Sequence, residues 1–371
     1  MKEEIEKLSK NLINYSVKLK KGETILIEMI GTDCLELAVE LIRETKRIGA
    51  IPLFNIVDYS VLKQLLLECN EEQIKTYAKI DLERMKLADA YIGIRSANSK
   101  EMEGIPKESM EIYNRLYQMP VHFEERVKNT RWCILRYPNS QMAEMAKMSL
   151  EEFTEYFYKV CTLDYSKMEK AMEPLKELLS STDKVHILSK GTDLTFSVKG
   201  IPAEKYYGTF NIPDGEVASC PNKYSVNGYI TYNTETIYNG ITFNNIYFEF
   251  KDGKIIKAKA GNKTKELNEI LDTDEGARYI GEFALGLNPY INNTIGDTLF
   301  DEKIAGSFHF TPGDALEESD NGNRSSIHWD IVCIQTPEFG GGEIYFDDVL
   351  VRKDGKFVLE ELKDLNPENL I

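Results

Sequence analysis

Only four histidines occur in 371 residues, and one of them stands in the stretch SSIHWDIVC, Ser325 to Cys333, two positions from an aspartate. Side chains alternate between the faces of a strand. In an extended run His328 and Asp330 therefore share one face, while Ile327, Trp329 and Ile331 share the other. Imidazole nitrogen and carboxylate oxygen are both good ligands for zinc and similar divalent ions, at about 2.0–2.2 Å. An isolated His-x-Asp is more often the wet face of a half-exposed strand, so the pair needs company before it suggests a metal.

Three other segments in the same half of the chain supply that company. NIPDGEVASCP places Glu216 at the exit of a turn. ARYIGEFALGLN places Glu282 at a Gly-Glu step in what reads as an apolar helix over Asp274–Gly286. LFDEKIAGSFHFTPG holds Glu302 and, seven residues later, His309 between two phenylalanines, where strand alternation gives the imidazole a polar face. Each has an ordinary reading. Glu216 suits a turn carboxylate, Glu282 a solvent-facing helix position, Glu302 with Lys303 a surface charge pair, and His309 a hydrogen-bonded core histidine. Other chemistries find less support. There is no HExxH, no GxSxG, and no GxGxxG or GxxxxGK[ST] at a strand-to-helix junction. A Cys220–His309 hydrolase is conceivable, but neither segment resembles a nucleophile motif. The glycines at 340–342 suit a flexible turn better than a phosphate cradle.

The elements that must position these groups fall into two halves. A chain of this length exceeds the roughly 250–300 residues at which a single core stops growing, which predicts two domains. The first alternates strand and helix. ETILIEMI (Glu23–Ile30), IPLFNIV (Ile51–Val57), ADAYIGI (Ala88–Ile94) and TRWCILRY (Thr130–Tyr137) are apolar runs separated by helical stretches, as in a mainly parallel sheet covered on both faces. The second half is strand-rich, with Asp-Gly turns at 252–253 and 354–355. The expected fold is α/β over residues 1–165 followed by an α+β, strand-rich domain over 166–371.

The formal charge of −16 argues against nucleic acid and against an anionic membrane surface, both of which select basic faces. The amino-terminal MKEEIEKLSKNLINYS reads as an amphipathic helix and not a signal peptide. No apolar run approaches the ~18 residues of a membrane span. Six scattered cysteines with no CxxC pair fit buried free thiols in a reducing compartment, which points to the cytoplasm.

GTDLTFSV, NIPDGEVASCP, VNGYI, the block from Asp274 to Asn288, NTIGDTLFDEKIAGSFH and IHWDIV, in that order, resemble the aminopeptidase T / aminopeptidase S / PepS family of metallo-aminopeptidases, most strongly from Thr182 to Val332. The resemblance implies a cytoplasmic homodimer acting on peptides with a free amino terminus. It implies two divalent ions per chain, zinc, cobalt or manganese, in the carboxy-terminal domain. Carried over residue by residue, the ligands fall on Glu216, Glu282, Glu302, His309, His328 and Asp330, with Glu282 bridging. A dinuclear centre activates a water and polarises the scissile carbonyl; Glu216, or another carboxylate that loosens during turnover, would relay the proton. Two departures stand out. Glu302 and His309 are seven apart, against five in the family, so the loop between them must bulge. The family tyrosine seven residues after that histidine is Leu316 here, with Tyr206, Tyr207, Tyr224 and Arg324 as possible substitutes. The resemblance therefore leaves room for a catalytically impaired metal-binding relative, or for a metal-dependent hydrolase of another small amide.

Overall fold

In the computed structural model, which describes residues 2–371, four apolar runs of the first half become the parallel strands β1 (Thr24–Ile30), β2 (Ile51–Val57), β3 (Ala90–Arg95) and β4 (Arg131–Arg136). Their order is β2-β1-β3-β4, and the two-residue strand Asn211–Ile212 adds in parallel beyond β4. That strand belongs to the first unit although it lies far beyond residue 165; the unit comprises residues up to Thr162 together with Gly208–Ile212. β1 is buried along almost its whole length, which is why it reads as a continuous apolar run and not an alternation. The helical stretch after β2 consists of two helices, Tyr59–Leu66 and Glu71–Lys86. The break falls where Asn70 turns its side chain to the Gln73 amide and Gln73 answers to the Asn70 amide, a reciprocal cap that starts a new helix. Those helices, with Lys107–Tyr113 and the π-helical Asn114–Arg126, bury Leu62, Leu66, Ile74, Tyr113 and Tyr117 against Leu26 and Tyr91 of the sheet.

The second unit, Leu163–Tyr207 and Pro213–Ile371, opens with the helix Tyr165–Ser181, capped by Asp164. It then builds two large antiparallel sheets and a two-stranded ribbon, Thr236–Tyr238 with Ile241–Phe243. The larger has eight strands and includes the hairpins closed at Asp252-Gly253 and Asp354-Gly355. All four of those turn residues have positive φ, as the tightest hairpin turns require. The smaller runs in the order Val332–Ile334, Ser307–Pro312, Ile280–Gly286, Glu216–Ser219, Glu204–Tyr206. One face of it is aromatic and packs on the larger sheet: Phe196 lies 5.1 Å from both Phe283 and Phe310, and Phe250 5.9 Å from Phe310, between ring centres. Alternation puts the residues between those phenylalanines on the opposite face.

Two expectations need correction. The segment Asp274–Gly286 is not a helix: it is a 3-10 turn at Gly276–Arg278 followed by the strand Ile280–Gly286, all seven residues of which are buried. A helical pattern and a doubly covered strand look alike over so short an apolar run, and the packing of both sheet neighbours decides for the strand. Ser325–Cys333 is also only partly strand. Its regular part begins at Val332, and His328 makes a single bridge to Gly313.

Gly281 explains the Gly-Glu step. A Cβ there would lie 2.0 Å from the Asp314 carbonyl oxygen and 2.5 Å from that of Gly313, so neither backbone can approach a side chain. Replacing Gly281 with alanine must push the two segments apart, and overpacking of this kind costs about 1–3 kcal/mol. Denaturant titration of Gly281→Ala should show a loss of that size, whereas Gly200→Ala, which faces open space at positive φ, tests the backbone cost alone.

Candidate metal centre

The polar face of the smaller sheet gathers most of the groups singled out above. Glu282 pairs with Thr311 across the strands, Ala284 with His309 and Ala218, and Gly286 with Glu216, so Glu282, His309 and Glu216 emerge on one side, away from the phenylalanine core. His328 and Asp330 reach the same place from the following segment. The two oxygens of Glu282 are divided between the imidazoles: Oε1 lies 3.1 Å from His309 Nε2, and Oε2 3.1 Å from His328 Nε2. His328 Nε2 is also 3.1 Å from Asp330 Oδ1, so the pair points the same way although regular strand begins only at Val332. His309 Nε2 stands 3.7 Å from Glu216 Oε2.

Donor atoms thus form two groups, Glu216–Glu282–His309 and Glu282–His328–Asp330, each spanning no more than 4.8 Å, with Glu282 common to both. Glu302 stands outside both. Its carboxylate faces the Lys303 ammonium at 2.9 Å. That ion pair is the one the sequence suggests, but it is buried and not on the surface. Lys303 also contacts Glu216 and lies 3.6 Å from Asp214. The lysine, with 2% of its side chain exposed, holds three acids at the edge of the centre.

Lys303 and Asp214 are the functional candidates that sequence reasoning missed. The available signal was the charged run Asp301-Glu302-Lys303 between the apolar Leu299-Phe300 and Ile304-Ala305, a poor place for an exposed lysine. Thr311 was missed as well; its hydroxyl donates to Asp330 Oδ1 at 2.8 Å. The main-chain carbonyl of Asp314 accepts from His328 Nδ1 at 2.9 Å, which orients the ring and leaves Nε2 directed at the carboxylates. Of the four possible replacements for the absent tyrosine, Tyr206 lies opposite Glu216 in the sheet with its ring 5.9 Å from the Lys303 ammonium. Tyr224 is exposed and packs on Tyr279, and Arg324 is paired with Asp320 on the surface. Cys220 is buried with its thiol pushed up by that burial, and it donates to the Ile280 carbonyl, not to an imidazole.

Crowding of unlike charges in a buried place moves every proton affinity. Burial opposes protonation of His309, but Glu282, then Glu216 and Asp330, lift its pKa to about 9. Burial likewise opposes, and Asp330 and Glu282 outweigh it, in raising His328 to about 12. Burial would raise Asp330, yet His328 and then His309 hold it far below the usual carboxylate range. Glu216 and Glu302 go the other way: burial pushes both up, and Lys303 offsets it only in part. Glu216 Oε2 and His309 Nδ1 are buried with no hydrogen-bond partner. An orphaned carboxylate oxygen beside an imidazole nitrogen is what a cation-binding set leaves without its ion. The residues present therefore fit divalent metal.

A model of the family described as thermophilic metalloprotease (M29) matches residues 1–357. Among curated proteins, aminopeptidase PepS of Streptococcus thermophilus is 24% identical over 89% of this chain and 92% of that protein. Aminopeptidase T of Thermus thermophilus is 26% identical over 87% of this chain and 88% of that protein. The solved structure of wild-type AmpT from Thermus thermophilus has the same fold, with a TM-score of 0.78 at 21% identity, covering 96% of this chain and all of that one.

The proton affinities set a pH dependence for the metal-free protein. His309, raised from 6.5 to about 9, stabilises the fold below its unfolded value, and that contribution is lost as pH rises through 9. Glu216 and Glu302, raised to about 7 and about 8, ionise at a cost over the same range. Asp330 and Glu282, both lowered, contribute above the ordinary carboxylate range and lose that contribution in acid. Chelator-treated protein should therefore unfold at its highest temperature in mildly acidic buffer and lose stability steadily toward pH 9. Protein saturated with divalent metal should hold its unfolding temperature across that interval, because bound cations take over from the protons. Parallel curves with and without metal would contradict the assignment.

Proposed function

The chain belongs to the M29 family of thermophilic metalloproteases, and from that premise we propose that it is an aminopeptidase that cleaves the first peptide bond of unblocked peptides with two divalent ions, zinc, cobalt or manganese. The observation that carries this reading is the sharing of Glu282 between two donor groups. Charge supports it as well. Five carboxylates, Asp214, Glu216, Glu282, Glu302 and Asp330, face one permanent cation, Lys303. Once the imidazoles are neutral, four negative charges remain unbalanced, the complement of two dications.

Glu216, Glu282 and His309 would hold one ion, and Glu282, His328 and Asp330 the other. Ions held there would supply Lewis-acid activation of water and of the scissile carbonyl. The protein's part is positional. Thr311 and the Asp314 carbonyl fix Asp330 and His328, and Lys303 fixes Glu216 and Glu302. Glu216, held by Lys303 on one side and 3.7 Å from His309 Nε2 on the other, is the carboxylate assigned to take a proton and return it to the leaving amine. Tyr206 is placed to donate to the developing oxyanion where Leu316 cannot. His328, with a third of its side chain exposed against 1% for His309, marks the open side through which a peptide enters.

The reading places this chemistry in residues 166–371, with residues 1–165 as a separate α/β domain, in a cytoplasmic homodimer. A second reading, metal binding without turnover, is favoured by Leu316 and by the hold of Lys303 on two of the acids; hydrolysis of another small amide has no comparable observation.

Release of free amino acid from an unblocked peptide separates these readings. The expected outcome is turnover that stops with chelator, returns with added zinc, cobalt or manganese, and falls at least about tenfold when the amino terminus is acetylated. Metal uptake of about two ions per chain without any release supports the binding protein, and equal rates on blocked peptides support a different amidase. Glu216→Gln should lower kcat by about 10²–10⁴, the range for a lost general acid–base group. Tyr206→Phe should lower kcat by about 10²–10³ with KM little changed, the signature of a lost oxyanion donor.

A further inference from the structure

The parallel sheet of the first unit carries a second constellation with no part in the metal centre. Its strand order reverses at β1, with β2 on one side and β3 then β4 on the other. Open parallel sheets leave a crevice beyond their carboxyl ends where the order reverses. Here a cavity of about 300 Å³ occupies that place, lined by Glu28 and Ile30 of β1, Val57 of β2, Arg95 of β3, and residues of the covering helices. Its volume is at the small end of the range of about 300–1,000 Å³ for ligand pockets.

One face of the sheet forms the floor. In register, Glu28 is flanked by Asn55 and Gly93, and Ile30 by Val57 and Arg95. Tyr91, Gly93 and Arg95 alternate onto that same face. The half nearer the amino ends of the strands is apolar, with Leu26, Leu53 and Tyr91 in the core. The half nearer the carboxyl ends is charged. Glu28 accepts from the Tyr91 hydroxyl at 2.6 Å and from the Asn55 amide at 3.1 Å, so its carboxylate is held but meets no cation. Gly93 makes room for the Tyr91 ring that reaches Glu28, since a Cβ there would lie 2.8 Å from the Tyr91 hydroxyl. Arg95 makes no hydrogen bond or ion pair with its side chain among the described residues.

A half-buried guanidinium without an acceptor costs free energy that a ligand anion would recover, with bidentate geometry. His122 adds a second donor. Its Nδ1 accepts from Arg126 Nε at 3.3 Å, which leaves the ring proton on Nε2, and burial holds the imidazole neutral with its pKa near 4. The rest of the lining sets the aromatic and soft side chains of Tyr59, Tyr113, Tyr117, Met102, Met110 and Leu62 beside the polar Ser99, Asn114 and Gln118.

We infer that the first unit binds a small zwitterion with an aromatic or large apolar side chain, a free amino acid or a dipeptide, its carboxylate on Arg95 and His122 and its ammonium on Glu28. This site stands independently of the peptidase reading, because none of its lining residues belongs to the metal centre.

Calorimetry on the full chain tests it with L-phenylalanine, 3-phenylpropionate, phenethylamine and, on chelator-treated protein, glycyl-phenylalanine. Phenylalanine should bind at one site per chain, and each singly charged analogue at least ~10-fold more weakly, the cost of one unmade charged hydrogen bond. Stronger binding of glycyl-phenylalanine than of phenylalanine identifies the dipeptide as the better ligand, and the reverse identifies the amino acid. Arg95→Gln should weaken binding at least ~10-fold. Glu28→Gln, which keeps an acceptor for Tyr91, should weaken phenylalanine but not phenylpropionate. His309→Ala should leave the affinity unchanged. No binding to the wild type overturns the inference, as does an analogue that matches phenylalanine. Binding that survives Arg95→Gln but disappears in His309→Ala places the ligand at the metal centre instead and also overturns it, with the peptidase reading left standing.

Discussion

Like charge in a confined space governs the second unit. Five carboxylates emerge on or beside one face of a five-stranded sheet; three of them are buried and the other two, Glu302 and Asp330, are nearly so. Such a set cannot stay ionised without cations, because the desolvation cost of each unpaired charge is several kcal/mol. The remaining features follow from that demand. Two imidazoles stand between the acids, and a buried lysine gathers three of the five at one edge. A threonine and a main-chain carbonyl hold the outer pair in place. On the reverse of the same strands the phenylalanines need no such balance, and they supply the rigid backing that keeps the acids from drifting apart.

The amino-acid sequence made much of this readable, and the limits are physical. Parallel strands in the first half announce themselves because a doubly covered strand is continuously apolar, and the Asp-Gly pairs mark hairpins because few dipeptides accept two positive φ angles. His328 and Asp330 were placed on a common face by alternation alone. The convergence of Glu216, Glu282 and His309 with them was legible only through the family resemblance, since four segments up to 114 residues apart carry no local signal of their meeting. Glu282 was assigned to a helix because seven buried residues have neither period. Lys303 reads as a surface charge because its burial depends on Asp214 and Glu216, brought in from a distant turn and strand, as well as on its neighbour Glu302.

The two units use their sheets in different ways. The antiparallel sheet of the second unit works across its face, where alternation separates an oily side from a charged one. The parallel sheet of the first works along its strands, apolar at one end and charged near the other, with a glycine that leaves room for the Tyr91 ring. Both arrangements leave charged groups partly unmatched by the protein itself, at Glu216 in one and Arg95 in the other, and unmatched charge in a recess is a physical mark of a binding place.

The Asp314 carbonyl has two duties. It receives the ring proton of His328, and it lies where a side chain on residue 281 would have to go. One peptide group therefore acts as a gauge block between the strand that bears Glu282 and the segment that bears His328. The spacing of these two residues is set by main-chain thickness and not by the choice of any side chain in the loop. Drift in the Asp314–Ser326 loop can then change its length and composition while the clearance inherited by the two ligand candidates stays constant.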